Sequence, residues 1–352
     1  MKTVTVRTSK EYDVLIGSGL LDAAGSLMKP AVRGKRVFIV SDDNVYPLYG
    51  NILEKSLGEA GFETDAFVMP HGETSKSLST YGAIMERMGE LHFTRADVMV
   101  ALGGGVAGDV AGFAAATYQR GIDLVQIPTT LLSAVDSSVG GKTGINLNSG
   151  KNQAGSFCQP VLVIHDTDTL KTLPDTEYKN GCAEIVKYGM IGSAGLLAAA
   201  AKKPVREQYE TVIAECVAMK RKLVEEDEFD RGPRMLLNFG HTVGHAVEKC
   251  SGYTIPHGMA VSVGMDIITK AAAVLGFTDG GTYETLHGLL KLYGLPTVCD
   301  HTAEELLEAV QSDKKSEDDT ITIAVPKKAG ECVLKVIHKT ELMKWLLAGG
   351  VK

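Results

Sequence analysis

Val98-Met99-Val100-Ala101-Leu102-Gly103-Gly104-Gly105-Val106-Ala107-Gly108-Asp109 decides the fold class. An apolar run from Val98 to Leu102 without a polar break suits a strand buried on both faces. Such strands belong to parallel sheets covered by helices on either side. Glycines follow at once, and a small-residue stretch through about Thr117 reads as a helix. Gly103, Gly105 and Gly108 satisfy G-x-G-x-x-G in its required context, with a strand before and a helix after. Glycines let the backbone approach a pyrophosphate, and the helix N-terminus favours the anion. Taken alone the motif is weak, because glycine-rich strand-to-helix turns also serve packing. The ribose-binding acid expected about 20 residues on would be Asp123, which starts the next strand rather than ending it. Dinucleotide binding is therefore expected in a variant geometry.

Outward from that stretch, strand and helix alternate. Residues 3–7 and 13–16 alternate as a pair of strands, and 37–40 is a short buried run ending at Ser41-Asp42-Asp43-Asn44, the polar end of a strand where a nucleotide could lie. A helix over 47–60, a strand over 64–68 and a helix over 77–91 precede the glycine loop; strands over 124–127 and 161–165 follow it. This order implies a Rossmann-like parallel sheet with helices on both faces. After Pro174 helical patterns dominate, over 175–191, 194–201, 205–226, 233–250, 257–275, 281–293 and 302–311. Only 321–325 and 332–337 read as strands there, a small hairpin. The expected organisation is an α/β domain over 1–172 and a mainly α-helical domain over 173–352. The acidic run Glu225–Asp230 reads as a solvated loop.

Length and charge set bounds. A chain of 352 residues suggests two or three domains. Its apolar fraction of 44% and charged fraction of 22% are those of an ordinary globular protein. The net charge of −7 argues against a nucleic-acid binder. Any cationic site must be a local gathering on an acidic background. Six dispersed cysteines without Cys-x-x-Cys suggest neither a zinc ribbon nor a disulfide scaffold, and reduced thiols in a cytoplasmic protein are the expected state. No apolar run approaches the roughly 20 residues of a membrane span.

The chemistry gathers in Arg234-Met-Leu-Leu-Asn238-Phe-Gly240-His241-Thr-Val-Gly244-His245-Ala-Val-Glu248. On one helix Arg234, Asn238, His241, His245 and Glu248 would share a narrow polar stripe. Leu236, Phe239, Val243 and Val247 would cover much of the rest, so the stripe should face a cavity. Gly240 and Gly244 would each cost about 1 kcal/mol against Ala inside a helix, which is expected only where another backbone or a ligand comes close. A solvated face is the bland alternative, but it is more often written in Lys and Glu. Metal ligands are available in His241 and His245 at i and i+4, in His257 after Pro256, and in Glu184. Any one of these histidines alone would be a hydrogen-bonded core residue; three within seventeen positions favour a metal. Three His/Glu ligands with an open position describe a catalytic zinc site. Thr242 excludes the His-Glu-x-x-His of metalloproteases. Gly140-Gly141-Lys142-Thr143 resembles the tail of a P-loop, but Asp136 stands where the pattern needs Gly. Lys142 and Lys151 are left as lysines on glycine-rich loops.

The ordered set of blocks resembles the 3-dehydroquinate synthase family across nearly the whole chain. It runs from Pro70-His-Gly-Glu-Thr-Ser-Lys76 through Ala101–Asp109, Tyr118-Gln-Arg-Gly121, Pro128–Leu132, Val135–Thr143, Gly150-Lys-Asn152, Ala183–Gly189, Leu237–His245 and His257-Gly to Asp313-Lys314-Lys315. The resemblance implies an NAD-binding α/β domain, a helical domain and a site in the cleft between them. It implies a zinc or cobalt ion on Glu184, His241 and His257, with His245 as a proton-moving neighbour rather than a ligand. Catalytic positions carried over are His245, Lys142, Asp230 and Arg120. NAD is expected against Asp42, Asn44, Glu73, Lys76, Gly104, Gly105, Val106, Asp109, Thr129, Thr130, Asp136, Lys142, Lys151, Thr169, Leu170, Lys171 and Thr172. Substrate anions are expected at Arg120, Lys142, Lys151, Asn152, Lys187, Lys220, Arg234, Asn238, His245 and Lys314 or its neighbour Lys315. Three positions depart from the usual pattern: His71 where Asp is frequent, Met259 where Glu follows His-Gly, and Asp230 where a Glu has been assigned acid–base work.

The activity so implied converts 3-deoxy-D-arabino-heptulosonate 7-phosphate to 3-dehydroquinate and phosphate, by transient oxidation, elimination, re-reduction and aldol closure. A homodimer in the cytoplasm, with no membrane or nucleic-acid partner, is the family expectation. The substrate's carboxylate and phosphate explain why an acidic chain would concentrate Lys and Arg. Sibling sugar-phosphate cyclases are the nearest alternative, and Arg234 with Asn238 favours a substrate bearing a carboxylate. A metal-dependent alcohol or glycerol dehydrogenase would instead produce net NADH. A non-catalytic NAD-binding module would not need the full set of ligands and cations.

Overall fold

The computed structural model describes residues 1–313 and 319–352. The chain divides into two units, one of Met1–Pro174 with Cys216–Phe229, the other of Asp175–Glu215 with Asp230–Lys352.

In the first unit, strands β1 (Lys2–Arg7) and β2 (Glu11–Gly17) lead to α1 (Ala24–Met28), β3 (Arg36–Asp42), α2 (Tyr46–Glu59), β4 (Glu63–Met69), α3 (Leu78–Glu90), β5 (Val98–Gly103) and α4 (Gly105–Thr117). Strands β6 (Asp123–Pro128), β7 (Lys142–Leu147), β8 (Gly150–Phe157) and β9 (Leu162–Asp166) follow. Seven strands form one sheet in the order β1-β2-β9-β6-β5-β3-β4. All its pairings are parallel except the β1–β2 edge. Alternation along each strand sorts the apolar side chains onto two faces. Val37, Ile39, Val98, Val100 and Leu102 pack with Leu53 and Leu57 of α2. Phe38, Val40, Met99 and Ala101 pack with Ile84 and Met88 of α3 and with Val110 and Ala114 of α4. Two cores on one sheet explain why β5 reads as an unbroken apolar run.

The stretches around Lys142 and Lys151 are not loops: β7 and β8 pair as an antiparallel hairpin. Of the apolar residues of β7, Ile145 is fully buried, in the core under α4, so the hairpin is too polar for alternation to announce it. Asp123, the acid tested against the dinucleotide motif, opens β6 and pairs with Lys10 at 3.3 Å.

The second unit is helical: α5 (Asp175–Gly192), α6 (Ala194–Lys202), the first part of α7 (Tyr209–Glu226), α8 (His241–Cys250), α9 (His257–Val274), α10 (Gly280–Leu292) and α11 (Ala303–Asp313). The hairpin β10 (Thr320–Lys328) and β11 (Glu331–His338) precedes α12 (Glu341–Ala348), which the sequence reading did not place. Residues 233–250 are not one helix. A 3₁₀ turn over Pro233–Asn238 gives way at Phe239, Gly240 adopts φ +77°, and α8 begins at His241. No described helix is long and apolar enough to cross a membrane, and all six cysteines are free thiols.

Candidate active site

Parallel pairing brings the carboxyl ends of β3, β5, β6 and β9 to one edge of the sheet. Asp42 ends β3, Gly103 ends β5 with Gly104 and Gly105 leading into α4, Thr129 and Thr130 follow β6, and Thr169–Thr172 lie in the 3₁₀ turn after β9. The chain runs from β3 out to β4 and returns to β5 on the other side of β3. The gap between β3 and β5 is thus a topological switch point, where open α/β sheets bind ligands. A methyl placed on Gly103 would lie 3.5 Å from Asp42 Oδ2, so the acid beside the glycine loop sits on the neighbouring strand, earlier in sequence. The acid about 20 residues downstream, Asp123, instead opens β6. Asp42 Oδ1 accepts the Asn44 and Val45 amides, each at 3.0 Å. Thr129 Oγ1 is buried without a hydrogen-bond partner among the described residues. A glycine turn at the start of the 13-residue α4, a flanking carboxylate and an unsatisfied hydroxyl together fit a dinucleotide.

Four of the expected cofactor and substrate residues share one network. Lys76 Nζ pairs with Asp109 Oδ2 at 2.6 Å and donates to Asn152 Oδ1. The Asn152 amide donates to Asn146 Oδ1, and Asn146 Nδ2 donates to Glu73 Oε1, both at 2.8 Å. Asn146 was missed by sequence reasoning, although it stands in Lys142-Thr-Gly-Ile-Asn146; a side-chain amide in so polar a hairpin was the available signal. Burial raises the pKa of Asp109, and the Lys76 ammonium opposes it. Lys220 pairs with the Asp136 carboxylate and donates to its carbonyl at 2.8 Å. Lys142 is exposed at the start of β7, Lys151 is half-buried in β8, and Val106 is half-buried on the first turn of α4. Leu170 and Thr169 are buried, Tyr49 Oη meets Thr172 Oγ1 at 2.5 Å, and exposed Lys171 pairs with Asp168. Arg120 stands apart: its guanidinium makes no hydrogen bond or ion pair among the described residues, on a turn where Gln119 and Arg120 have φ +50° and +67°. Left-handed residues of this kind cost about 1–3 kcal/mol each and cluster at functional sites. His71 pairs with Asp43 at 2.8 Å, beside Asp42.

In the second unit, Glu184 lies mid-way along α5, while His241 and His257 are the first residues of α8 and α9. The backbones of α8 and α9 touch: a Cβ on Gly244 would sit 2.9 Å from Val261 Cα. That contact sets the two histidines side by side. His241 Nε2 and His257 Nε2 lie 3.6 and 3.7 Å from Glu184 Oε1. Ligands bound tetrahedrally at about 2.0–2.1 Å stand about 3.4 Å apart, so the spacing fits a divalent ion. Glu184 is fully buried; its Oε2 pairs with Lys187, one turn along α5, while its Oε1 has no hydrogen-bond partner among the described residues. Lys187 engages Oε2 alone, which leaves Oε1 facing the two imidazoles, and two imidazoles with one carboxylate are a zinc or cobalt donor set.

Burial, reinforced by Lys187, lowers the His241 pKa well below its ordinary value. Burial also disfavours the charged His257, yet its hydrogen bond to Glu248 and the charge of Glu184 raise its pKa overall. His245 is exposed, its ring 5.4 Å from that of His241 and 5.8 Å from that of His257. Donor atoms of Glu184, His241 and His257 fall within 4.8 Å of one another, and so do those of His245, Glu248 and His257. Arg234 is buried and Asn238 exposed, so the polar stripe does not share one environment. Asp230 is half-buried with φ +59°. Lys314 and Lys315 lie outside the described residues.

The chain matches the family models described as 3-dehydroquinate synthase N-terminal, over residues 66–180, and 3-dehydroquinate synthase C-terminal, over 181–316. It is 42% identical over 352 residues to a 3-dehydroquinate synthase of Enterococcus faecalis, covering 98% of each chain. Among solved structures it is similar to 2-deoxy-scyllo-inosose synthase complexed with carbaglucose-6-phosphate, NAD+ and Co2+, with a TM-score of 0.89, 27% identity, and 99% and 100% of the two chains covered. It is similar also to 2-epi-5-epi-valiolone synthase from Streptomyces hygroscopicus with NAD+ and Zn2+ bound, with a TM-score of 0.87, 27% identity and 98% of each chain covered.

Proposed function

The chain belongs to the 3-dehydroquinate synthase family, and on that premise we propose how its own residues divide the work. The activity is conversion of 3-deoxy-D-arabino-heptulosonate 7-phosphate to 3-dehydroquinate and phosphate, a step of the shikimate pathway, with NAD and a divalent metal as cofactors. When bound, the zinc or cobalt ion supplies Lewis-acid polarisation of a substrate hydroxyl, and NAD supplies a hydride acceptor that is regenerated within each turnover.

Glu184, His241 and His257 hold the ion. The observation that carries this is the fully buried Glu184 carboxylate, with two imidazole nitrogens 3.6 and 3.7 Å from one of its oxygens. Asp42, Gly104, Gly105 and the network of Glu73, Lys76, Asp109 and Asn152 hold NAD. Thr129, Thr130 and the turn Thr169–Thr172 complete its walls, and Asp136 orients Lys220. Arg234 and Asn238 clamp the substrate carboxylate, while Arg120, Lys142, Lys151, Lys187 and Lys220 neutralise its remaining anionic groups. An ammonium held near the departing phosphate stabilises the charge that develops there. His245, exposed beside the two ligand rings, moves protons, and Asp230 takes the acid–base position that a longer carboxylate fills elsewhere. Residues 1–172 form the NAD domain and 173–352 the metal and substrate domain, with Cys216–Phe229 grouped by contact with the former. A cytoplasmic homodimer completes the reading.

Incubation of the purified protein with the heptulosonate phosphate and trace NAD tests it. Phosphate and dehydroquinate are expected in equal amounts, with no net NADH. Phosphate without dehydroquinate, net NADH, or neither product with metal restored would contradict the assignment.

A further inference from the structure

We propose that Glu248 is a positioning residue of the metal centre, holding the His257 ring so that its Nε2 lone pair faces Glu184. The inference rests on the reading of Glu184, His241 and His257 as the ligand set, and Glu248 had no role in that reading.

Glu248 lies on α8, two turns beyond His241, and is 3% exposed. Its Oε2 is 3.2 Å from His257 Nδ1, while His257 Nε2 is 3.7 Å from Glu184 Oε1. A neutral imidazole carries one N–H and one lone pair, and an ionised carboxylate only accepts. The proton on His257 therefore sits on Nδ1, and the lone pair is on Nε2. His241 reaches the same state by a different route. Its Nδ1 is 3.1 Å from the Phe239 carbonyl, and its Nε2 is 3.6 Å from the same Glu184 oxygen. Both rings thus present Nε2 to one point, one fixed by backbone and the other by a side chain. The side chain of His257 is 32% exposed against 11% for His241, so its ring has less packing to hold it and depends more on the hydrogen bond. A carboxylate partner also makes the opposite nitrogen a better donor to a metal.

The same atoms permit one competing use, a cation held by His245, Glu248 and His257. Binding there through His257 Nδ1 would leave Nε2 protonated, and the neutral ring could not then serve the ion beside Glu184. The fully buried Glu184 carboxylate favours the first use.

The test uses full-length wild type, E248Q, E248L and H257A, stripped of metal and titrated with Co2+. Affinity is read by chelator competition, geometry by the visible d–d absorption, and folding by the melting of the metal-free proteins. E248L is expected to bind Co2+ about 10–100-fold more weakly with an altered spectrum. E248Q, which keeps an acceptor oxygen but loses the charge, is expected to fall between E248L and wild type. H257A is expected to lose the ion. Should H257A bind as tightly as wild type, the ligand set itself fails. If H257A loses the ion while E248L or, where E248L does not fold, E248Q matches wild type in affinity and spectrum, the role of Glu248 fails and the ligand set stands. Two ions per wild-type chain would favour the competing site.

Discussion

His165 lies in β9 with both ring nitrogens buried and no hydrogen-bond partner among the described residues. Burial pushes its pKa from the ordinary 6.5 down to about 3. The unfolded chain takes up its proton at the ordinary value, so this site leaves stability intact above about pH 6.5 and erodes it as the pH falls toward 3. By about pH 5 the loss amounts to about 2 kcal/mol. His165→Leu should remove that loss, because an apolar side chain of similar size has nothing to protonate. Urea unfolding at about pH 7.5 and about pH 5 checks this, and equal losses in variant and parent would refute it. His257 presents the opposite case, a partly exposed ring with a carboxylate on each side. His257→Ala should lose bound metal and activity together while keeping its far-UV circular dichroism; full metal occupancy in that variant would overturn the ligand set. Residue types were legible at this scale: Glu, Lys, Arg and clustered His stand out in any sequence. Pairing was not, because the carboxylate that meets His257 Nδ1 is fixed by where α8 and α9 cross.

At the scale of elements, the crossing of α8 and α9 depends on glycine. Gly240 holds φ +77°, and a Cβ there would lie 2.4 Å from Met265 Cγ and 2.8 Å from the Val261 carbonyl oxygen. Gly244 has an ordinary backbone but no room, with Val261 Cα 2.9 Å from the added carbon. Gly244→Ala should therefore destabilise the protein by about 1–3 kcal/mol and weaken metal retention as well, since α8 and α9 each carry one histidine at their first residue. A denaturant midpoint and a metal content that both match wild type would refute the close-contact argument. The glycine signal was readable: two such residues in an apolar helical pattern predicted a close backbone, and the neighbour is α9. The break at Phe239–Gly240 was not readable, because a 3.6-residue period continues on paper through a residue that turns left-handed in space. The apolar runs β3, β5 and β6 were plain, while the hairpin of β7 and β8 was hidden by its polarity.

Over the whole molecule, a net charge of −7 coexists with a proposed site rich in Lys and Arg. Raising salt from about 0.1 M to about 1 M shortens the screening length from about 10 Å to about 3 Å. The KM for the heptulosonate phosphate should then rise several-fold with kcat changed less, because the cations act mainly in gathering an anionic substrate. Steady-state kinetics across that range decide the point, and a KM insensitive to salt would contradict it. The alternation of strand and helix around β5 and the change of texture after Pro174 follow from periodicity, which is a local property. The strand order does not, and it is the strand order that puts Asp42 beside the glycine loop rather than an acid farther along the chain.

By itself the sequence determined the α/β sheet, the helical second half, the family and the kinds of side chain that could carry the chemistry, because burial pattern and residue type are written position by position. Only the tertiary structure decided which acid flanks the glycine loop, that Asn146 joins Glu73 to Asn152, and that the two nitrogens of His257 face Glu184 and Glu248. Those relations join residues on different elements, and the packing of the elements sets them.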